Sequence, residues 1–176
     1  MKARKSKEAR TPRSRARLTH VDARGQVRMV DVSGKPGTVR EAVARGALSL
    51  SREGFDAVAA NRVLKGDVLT VAKIAGIQAA KGTSSLIPLC HPIPLDHVSV
   101  EATLDPARCR IEIEARTRTR SATGVEMEAL TAVTVAGLAA YDMVKSVDRT
   151  AVLSDIRLVR KSGGRSGTYT RPGEKA

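Results

Sequence analysis

The stretch Thr123-Gly124-Val125-Glu126-Met127-Glu128-Ala129-Leu130, continuing to Tyr141-Asp142-Met143-Val144-Lys145, decides how the rest of the chain is read. From Val125 to about Arg149 there is no proline and a single glycine, Gly137. Leu, Met and Val recur with Ala between them, which predicts one long helix. Thr123 followed by Glu126 has the form of a capping box, with Thr123 as N-cap. Ala129 to Tyr141 is uncharged, so most of the girth of this helix belongs in a core. Charge returns only at its ends, with Glu126 and Glu128 at one and Asp142 and Lys145 at the other.

Helix geometry limits what these groups do together. Glu128 and Asp142 lie about 40° apart around the axis but roughly 21 Å apart along it. They cannot act on one atom from the same helix. Asp142 and Lys145, one turn apart, can share a site, whereas Glu126 points about 160° away from Asp142. If both ends are chemical, each must meet groups from elsewhere, another subunit included.

A chain of 176 residues, 41% of them hydrophobic, suits one well-packed domain. Phe55, Tyr141 and Tyr169 are its only aromatic residues, so the core must be aliphatic. The formal charge is +13, but residues 1–17 alone hold eight Lys or Arg against Glu8. The expected organisation is a disordered basic arm over 1–17, one catalytic domain over 18–168 and a flexible tail over 169–176. The domain itself is only moderately basic, which suits a small polyanion at least as well as nucleic acid. Cys90 and Cys109 have no CxxC or histidine spacing of a zinc site, so a reducing, cytoplasmic setting without a structural metal is expected. No apolar run reaches 18 residues, and the basic N-terminus lacks the apolar stretch of a secretory signal.

In chain order, Leu18–Asp22 and Val27–Val32 read as a hairpin, and Thr38 as the cap of a helix through Ala44. Ser51 caps a short helix near 53–60, and Asp67 caps Val68–Lys81, with Val71, Ile74, Ala75 and Ile77 toward the core. Gly76 inside that helix costs about 1 kcal/mol relative to alanine, which suggests close packing against a neighbour. Three of the seven prolines stiffen Leu86–Pro94, and Pro92 holds His91 away from the helical conformation. Val98, Val100, Ala102 and Leu104, then Cys109, Ile111, Ile113 and Ala115, alternate with polar residues as two strands. A last strand over 152–161 puts Ile156, Leu158 and Arg160 on one side. This order predicts an α+β fold with an antiparallel sheet packed against helices.

Each candidate for chemistry has a plainer alternative. Lys161-Ser162-Gly163-Gly164-Arg165-Ser166-Gly167 pairs glycines with cations, as a phosphate-binding loop does, or is a basic tail. Cys90-His91 offers a nucleophile and a proton carrier, or a buried thiol beside a hydrogen-bonded histidine. Lys65 stands beside the N-terminus of the helix after Asp67, and is otherwise a surface lysine. Asp142 and Lys145 are an acid–base pair or an ordinary ion pair, and Glu126 a site carboxylate or a cap. Taken together, these groups fit non-redox acid–base chemistry on a phosphorylated substrate.

The motifs that carry these groups resemble a known family. Met29-Val-Asp-Val-Ser33, Lys65-Gly-Asp67, Ile74-Ala-Gly-Ile-Gln-Ala-Ala-Lys81, Leu86-Ile-Pro-Leu-Cys-His-Pro92, Thr123–Leu130, Tyr141-Asp-Met143 and Lys161-Ser-Gly-Gly164 resemble the cyclic pyranopterin monophosphate synthases, also called molybdenum cofactor biosynthesis protein C. The resemblance implies a ferredoxin-like fold and a homohexamer, a trimer of dimers, with active sites at subunit interfaces. It implies a lyase that turns a 3′,8-cyclised dihydro-GTP, a nucleotide triphosphate, into cyclic pyranopterin monophosphate and pyrophosphate. Carried onto this chain, Asp142, Lys65 and Lys145 are catalytic. Leu89, Cys90, His91, Met127, Glu128, Glu126, Asp31, Lys161 and Arg165 bind substrate. No cofactor is required, though a divalent cation can accompany the triphosphate. Arg165 stands where the family often has lysine, keeping the charge but altering the donor geometry. Gly82–Ser85 is a small-residue form of a segment that elsewhere carries an aromatic. The rival class is a nucleic-acid binder working through the basic arm, against which stand the three aromatics and the lack of an RNP-type motif.

Overall fold

The computed structural model describes residues 25–174 and divides the chain into two units, 1–30 and 31–176. In the first, the described residues 25–30 hold one bridge position, Val27, and no strand or helix. The first arm of the expected hairpin and the basic arm 1–17 fall outside the described residues. The second hairpin arm is not a strand.

The second unit runs β1 (Thr38–Ser49), α1 (Arg52–Ala59), α2 (Val68–Lys81), α3 (Thr83–Leu86), β2 (His97–Asp105), β3 (Arg110–Ser121), α4 (Glu126–Val144), β4 (Val152–Ser162) and β5 (Tyr169–Thr170). All strand pairs are antiparallel, in the order β2-β3-β1-β4-β5. Without the short β5, this is a βαββαβ chain with strand order 4-1-3-2, the ferredoxin-like arrangement. Helices α2 and α4 pack on each other and against the sheet.

The segment 38–44 is strand, not the helix that Thr38 and its Glu, Ala and Arg neighbours suggest. It lies at the centre of the sheet, bonded on one side to β3 and on the other to β4. Ala42, Val43, Ala44, Ala47 and Leu48 are all buried, so a strand covered on both faces shows no alternation to read. Tertiary pairing overrides local propensity here.

Two expectations about helices are also corrected. Helix α4 starts at Glu126 after Val125, with no side-chain cap, because the Glu126 carboxylate is drawn to Lys161 at 3.0 Å instead of closing a box with Thr123. In α2, the buried face is Val68, Ala72, Gly76, Ala79 and Ala80. Val71 and Ile74 are 37% and 63% exposed, while Leu69 and Ile77 pack partly on the core. Small residues face inward because α2 runs close against α4: a Cβ on Gly76 would sit 2.9 Å from the Ala132 carbonyl oxygen and 3.1 Å from Val100.

Other expectations hold. Ser51 caps α1 by accepting from the Gly54 N–H, and the Asp67 carboxylate accepts from the N–H groups of Leu69 and Thr70. Strand β2 alternates as read, and β3 does so from Ile111 on, continuing to Thr117 and Thr119 on the buried side, but Cys109 lies in the preceding turn at positive φ rather than in the strand. In β4, however, Val159 is fully buried and Ile156 is 37% exposed. Register shifts against β1 and a positive φ at Asp155 break the two-residue period there. Past residue 168, β5 pairs with Arg160 and Lys161, and Glu174 is ion-paired to the sheet, so residues 169–174 are held rather than loose.

The Gly76 contact yields a prediction against the usual sign. Gly76→Ala, worth about 1 kcal/mol of stabilisation in an open helix, should instead destabilise by roughly 1–3 kcal/mol through overpacking against a backbone carbonyl that cannot yield. A thermal melt showing a lower Tm than the parent is the expected result.

Candidate active site

At the C-terminal end of α4, three charges meet. Lys65, in the loop between α1 and α2, reaches across to Asp142, its Nζ lying 2.7 Å from Oδ2 and donating to the Asp142 carbonyl at 2.8 Å. Lys145 Nζ lies 2.6 Å from Asp142 Oδ1. Gly66, at positive φ, separates Lys65 from Asp67, which caps α2. Hydrogen bonds from Lys145 and Lys65 hold the Asp142 carboxyl at about 2, well below its ordinary value of 3.8, even though the group is exposed. The same bond holds the Lys145 ammonium above its ordinary range. At neutral pH the cluster is therefore one carboxylate flanked by two ammonium groups. Asp148, buried just beyond, accepts from the N–H groups of Ser51 and Thr150 and so ties the end of α4 to the start of α1.

At the other end of α4 the chemistry differs. Glu128 is 4% exposed, and burial first, then the neighbouring Glu126 charge, raise its carboxyl above the ordinary range. Cys90, half-buried, is likewise raised by burial and by Glu128. This favours a protonated thiol over a thiolate nucleophile. Leu89 and His91 flank it, half-buried, in a loop tied down by bonds from Cys90 N–H to the Ile87 carbonyl, Thr119 Oγ1 to the Pro94 carbonyl, and Asp96 N–H to the Arg118 carbonyl. Met127, 37% exposed, follows Glu126.

Lys161 joins this end by pairing with Glu126, and its Nζ is 3.2 Å from Ser166 Oγ in the loop beyond. Arg165 lines a cleft of about 330 Å³ with Lys35, Pro36, Thr38, Arg40 and Gly164. Arg40 donates to the Ala122 carbonyl just ahead of α4, while its Nε and the Thr38 hydroxyl are buried with no bonding partner among the described residues. A side chain at Gly164 would collide with the Arg40 guanidinium, and one at Gly163 with the Val39 carbonyl; both residues have positive φ. Lys35, Arg40 and Arg165 bring three cationic side chains to the lining of one cleft, the charge an oxyanion requires. Sequence reasoning missed Arg40 and Thr38 because it placed them on a helix; only the pairing of β1 with β4 brings them beside the Gly163–Gly164 turn. Asp31 is exposed and accepts from the N–H and hydroxyl of Ser33, shaping the turn that leads to Lys35. No group of three or more His, Cys, Asp or Glu among the described residues is arranged to hold a metal ion.

One chain thus gathers Lys65, Asp142 and Lys145 at one pole of α4, and Cys90, Glu126, Glu128 and Lys161 at the other. The lowered Asp142 value carries a definite sign. The ion pairing of Asp142 favours the fold above about pH 4 and is lost as pH falls through about 2. An NMR titration should place its carboxyl near 2, and Lys145→Met should return it toward 3.8. An unchanged value in Lys145→Met would contradict the described pairing.

The MoaC family model matches residues 29–164. A cyclic pyranopterin monophosphate synthase of Pelotomaculum thermopropionicum is 58% identical over 159 residues, covering 90% of this chain and 94% of its own. The protein of that name from Thermomicrobium roseum is 56% identical over 161 residues, 92% of this chain and 97% of its own. One from a Nostoc strain is 49% identical over 165 residues, covering 94% and 98%. With the ferredoxin-like sheet and the two polar ends of α4 in place, the chain belongs to the MoaC family.

Proposed function

We propose that this chain is a cyclic pyranopterin monophosphate synthase, a lyase of molybdenum cofactor biosynthesis. It converts 3′,8-cyclised 7,8-dihydro-GTP into cyclic pyranopterin monophosphate and pyrophosphate. Family membership and the shared name of the relatives support the reaction. The single structural observation that carries the catalytic assignment is Asp142 held between Lys65 and Lys145.

In this reading Asp142, ionised at neutral pH, takes the proton-accepting side and the two lysines the donating side of the ring rearrangement. In the phosphoryl step an oxygen of the rearranged substrate attacks the α-phosphorus. The bond from that phosphorus to the bridging oxygen breaks, and its electron pair leaves with pyrophosphate. Lys161, Arg165 and Arg40 meet the charge of the departing group. Leu89, Cys90, His91, Met127 and Glu128 line the ring end, where the raised Glu128 carboxyl is suited to hydrogen-bonding a pterin edge. A divalent cation, where one accompanies the substrate, is carried by the phosphates.

The two poles of α4 are too far apart for one small molecule, so we assign the complete site to a contact between copies, within a homohexamer built as a trimer of dimers. Exposed Val71, Ile74, Leu86 and Leu138 support such contacts. We place the enzyme in the cytoplasm. The one helix among those described that is long and apolar enough to cross a membrane is α4, whose burial against the sheet accounts for its composition. A nucleic-acid role would rest on the basic arm; removing residues 1–17 should leave turnover intact.

Asp142→Asn should lower pyrophosphate release from the cyclised substrate by about 10²–10⁴-fold, the usual weight of an acid–base group, with the circular dichroism spectrum unchanged. Release at the parental rate by a folded variant would refute the assignment.

A further inference from the structure

The chain does not leave the sheet at the end of β4. Lys161 and Arg160 pair with Tyr169 and Thr170, and the Arg171 N–H donates to the Val159 carbonyl at 2.8 Å. A two-residue edge strand is marginal by itself. Beyond it, Pro172 and Gly173 form a turn closed by the Glu174 N–H on the Arg171 carbonyl. This turn aims the Glu174 side chain back over the sheet.

There the Glu174 carboxylate bridges two strands. Its Oε1 accepts from Arg157 Nε on β4, and its Oε2 from Arg45 Nη1 on β1 at 2.8 Å. Arg45 is also held by Glu114 on β3, so the chain of charges Glu114–Arg45–Glu174–Arg157 crosses three strands. Only 15% of the Glu174 side chain is exposed. A networked, two-armed carboxylate of this kind is a stronger anchor than an isolated surface pair.

Between the fixed β4 and this anchor lies the segment 163–168, with Gly163, Gly164 and Gly167 all at positive φ. It carries Arg165, in the oxyanion cleft, and Ser166, the partner of Lys161. Glycine-rich backbone has much freedom to lose on meeting a ligand.

We propose that Glu174 is a positioning residue for the phosphate end of the site: by gripping Arg157 and Arg45 it holds the 163–168 loop, with Arg165 and Ser166, in the shape that receives pyrophosphate. The proposal rests on the phosphorylated-substrate reading above. Without the anchor the ordering of this loop is charged against binding, and the loss falls on affinity rather than on the chemical step.

The test uses the full-length protein and Glu174→Gln, with pyrophosphate itself as the binding probe in calorimetry and the cyclised substrate in steady-state assays. Pyrophosphate affinity should weaken and KM rise together by about tenfold, with kcat within about twofold of the parent. Amide exchange over 163–168 should accelerate. Arg157→Gln should reproduce the loss, and the double variant should be no worse than either single one. Unchanged pyrophosphate affinity in Glu174→Gln would overturn the proposal, as would a fall in Tm and kcat with KM unmoved. A parent that binds pyrophosphate but does not turn over the substrate would instead refute the assigned reaction, and the affinity comparison would still decide the role of Glu174.

Discussion

The close packing of α4 on the sheet is the constraint on which everything else depends. Ala129, Ala132, Val133, Ala136 and Ala140 are fully buried, so the middle of the helix is committed to the core and has no room for polar work. Polar groups are driven to its two ends, and the rigidity of a helix keeps those ends about 21 Å apart. The neighbours adapt to α4 rather than the reverse. Gly76 of α2 presses on Ala132, and a side chain at Gly46 of β1 would lie 2.7 Å from Val133.

The two ends are electrostatically unlike, and that difference comes from burial and neighbours rather than from residue type. Asp142 stands exposed between two ammonium groups and is held strongly ionised. Glu128 is buried beside another carboxylate and is held toward its neutral form. One carboxyl is thereby held as an anion between two cations, the other kept toward the form that can hydrogen-bond a neutral edge. The cationic cleft around Arg165 and Arg40 is set by the meeting of β1 with the loop after β4.

Much of this was legible in the residues. The caps at Ser51 and Asp67 act within three residues of themselves, and the β2 and β3 pattern is a clean alternation, so both could be read locally. So could the Asp142–Lys145 pair, one helical turn apart. Lys65 was legible as a cation beside a helix N-terminus, but its contact with Asp142 was not, since that spans 77 positions of sequence. What misled was context. A central strand hides its period because both faces are covered, so the stretch from Thr38 through Ala44 looked helical. The Thr123 cap lost to an ion pair with Lys161 that no local pattern reveals. Helix α2 turns its smallest residues inward because proximity to α4 outweighs the burial of Val71 and Ile74. Arg40 and Thr38 could not be recognised as site residues until the sheet placed them beside Gly164.

If the poles of α4 complete one another across a contact between copies, two damaged chains can together make an intact site. The decisive measurement is the activity of mixed assemblies formed by co-refolding Asp142→Asn with Lys161→Ala, each inactive alone. Random pairing across a two-fold contact should recover roughly a quarter of the parental activity, since only sites drawing each group from the undamaged chain are whole. Mixtures no more active than the separate variants, or a parent fully active as a single chain, would contradict the account.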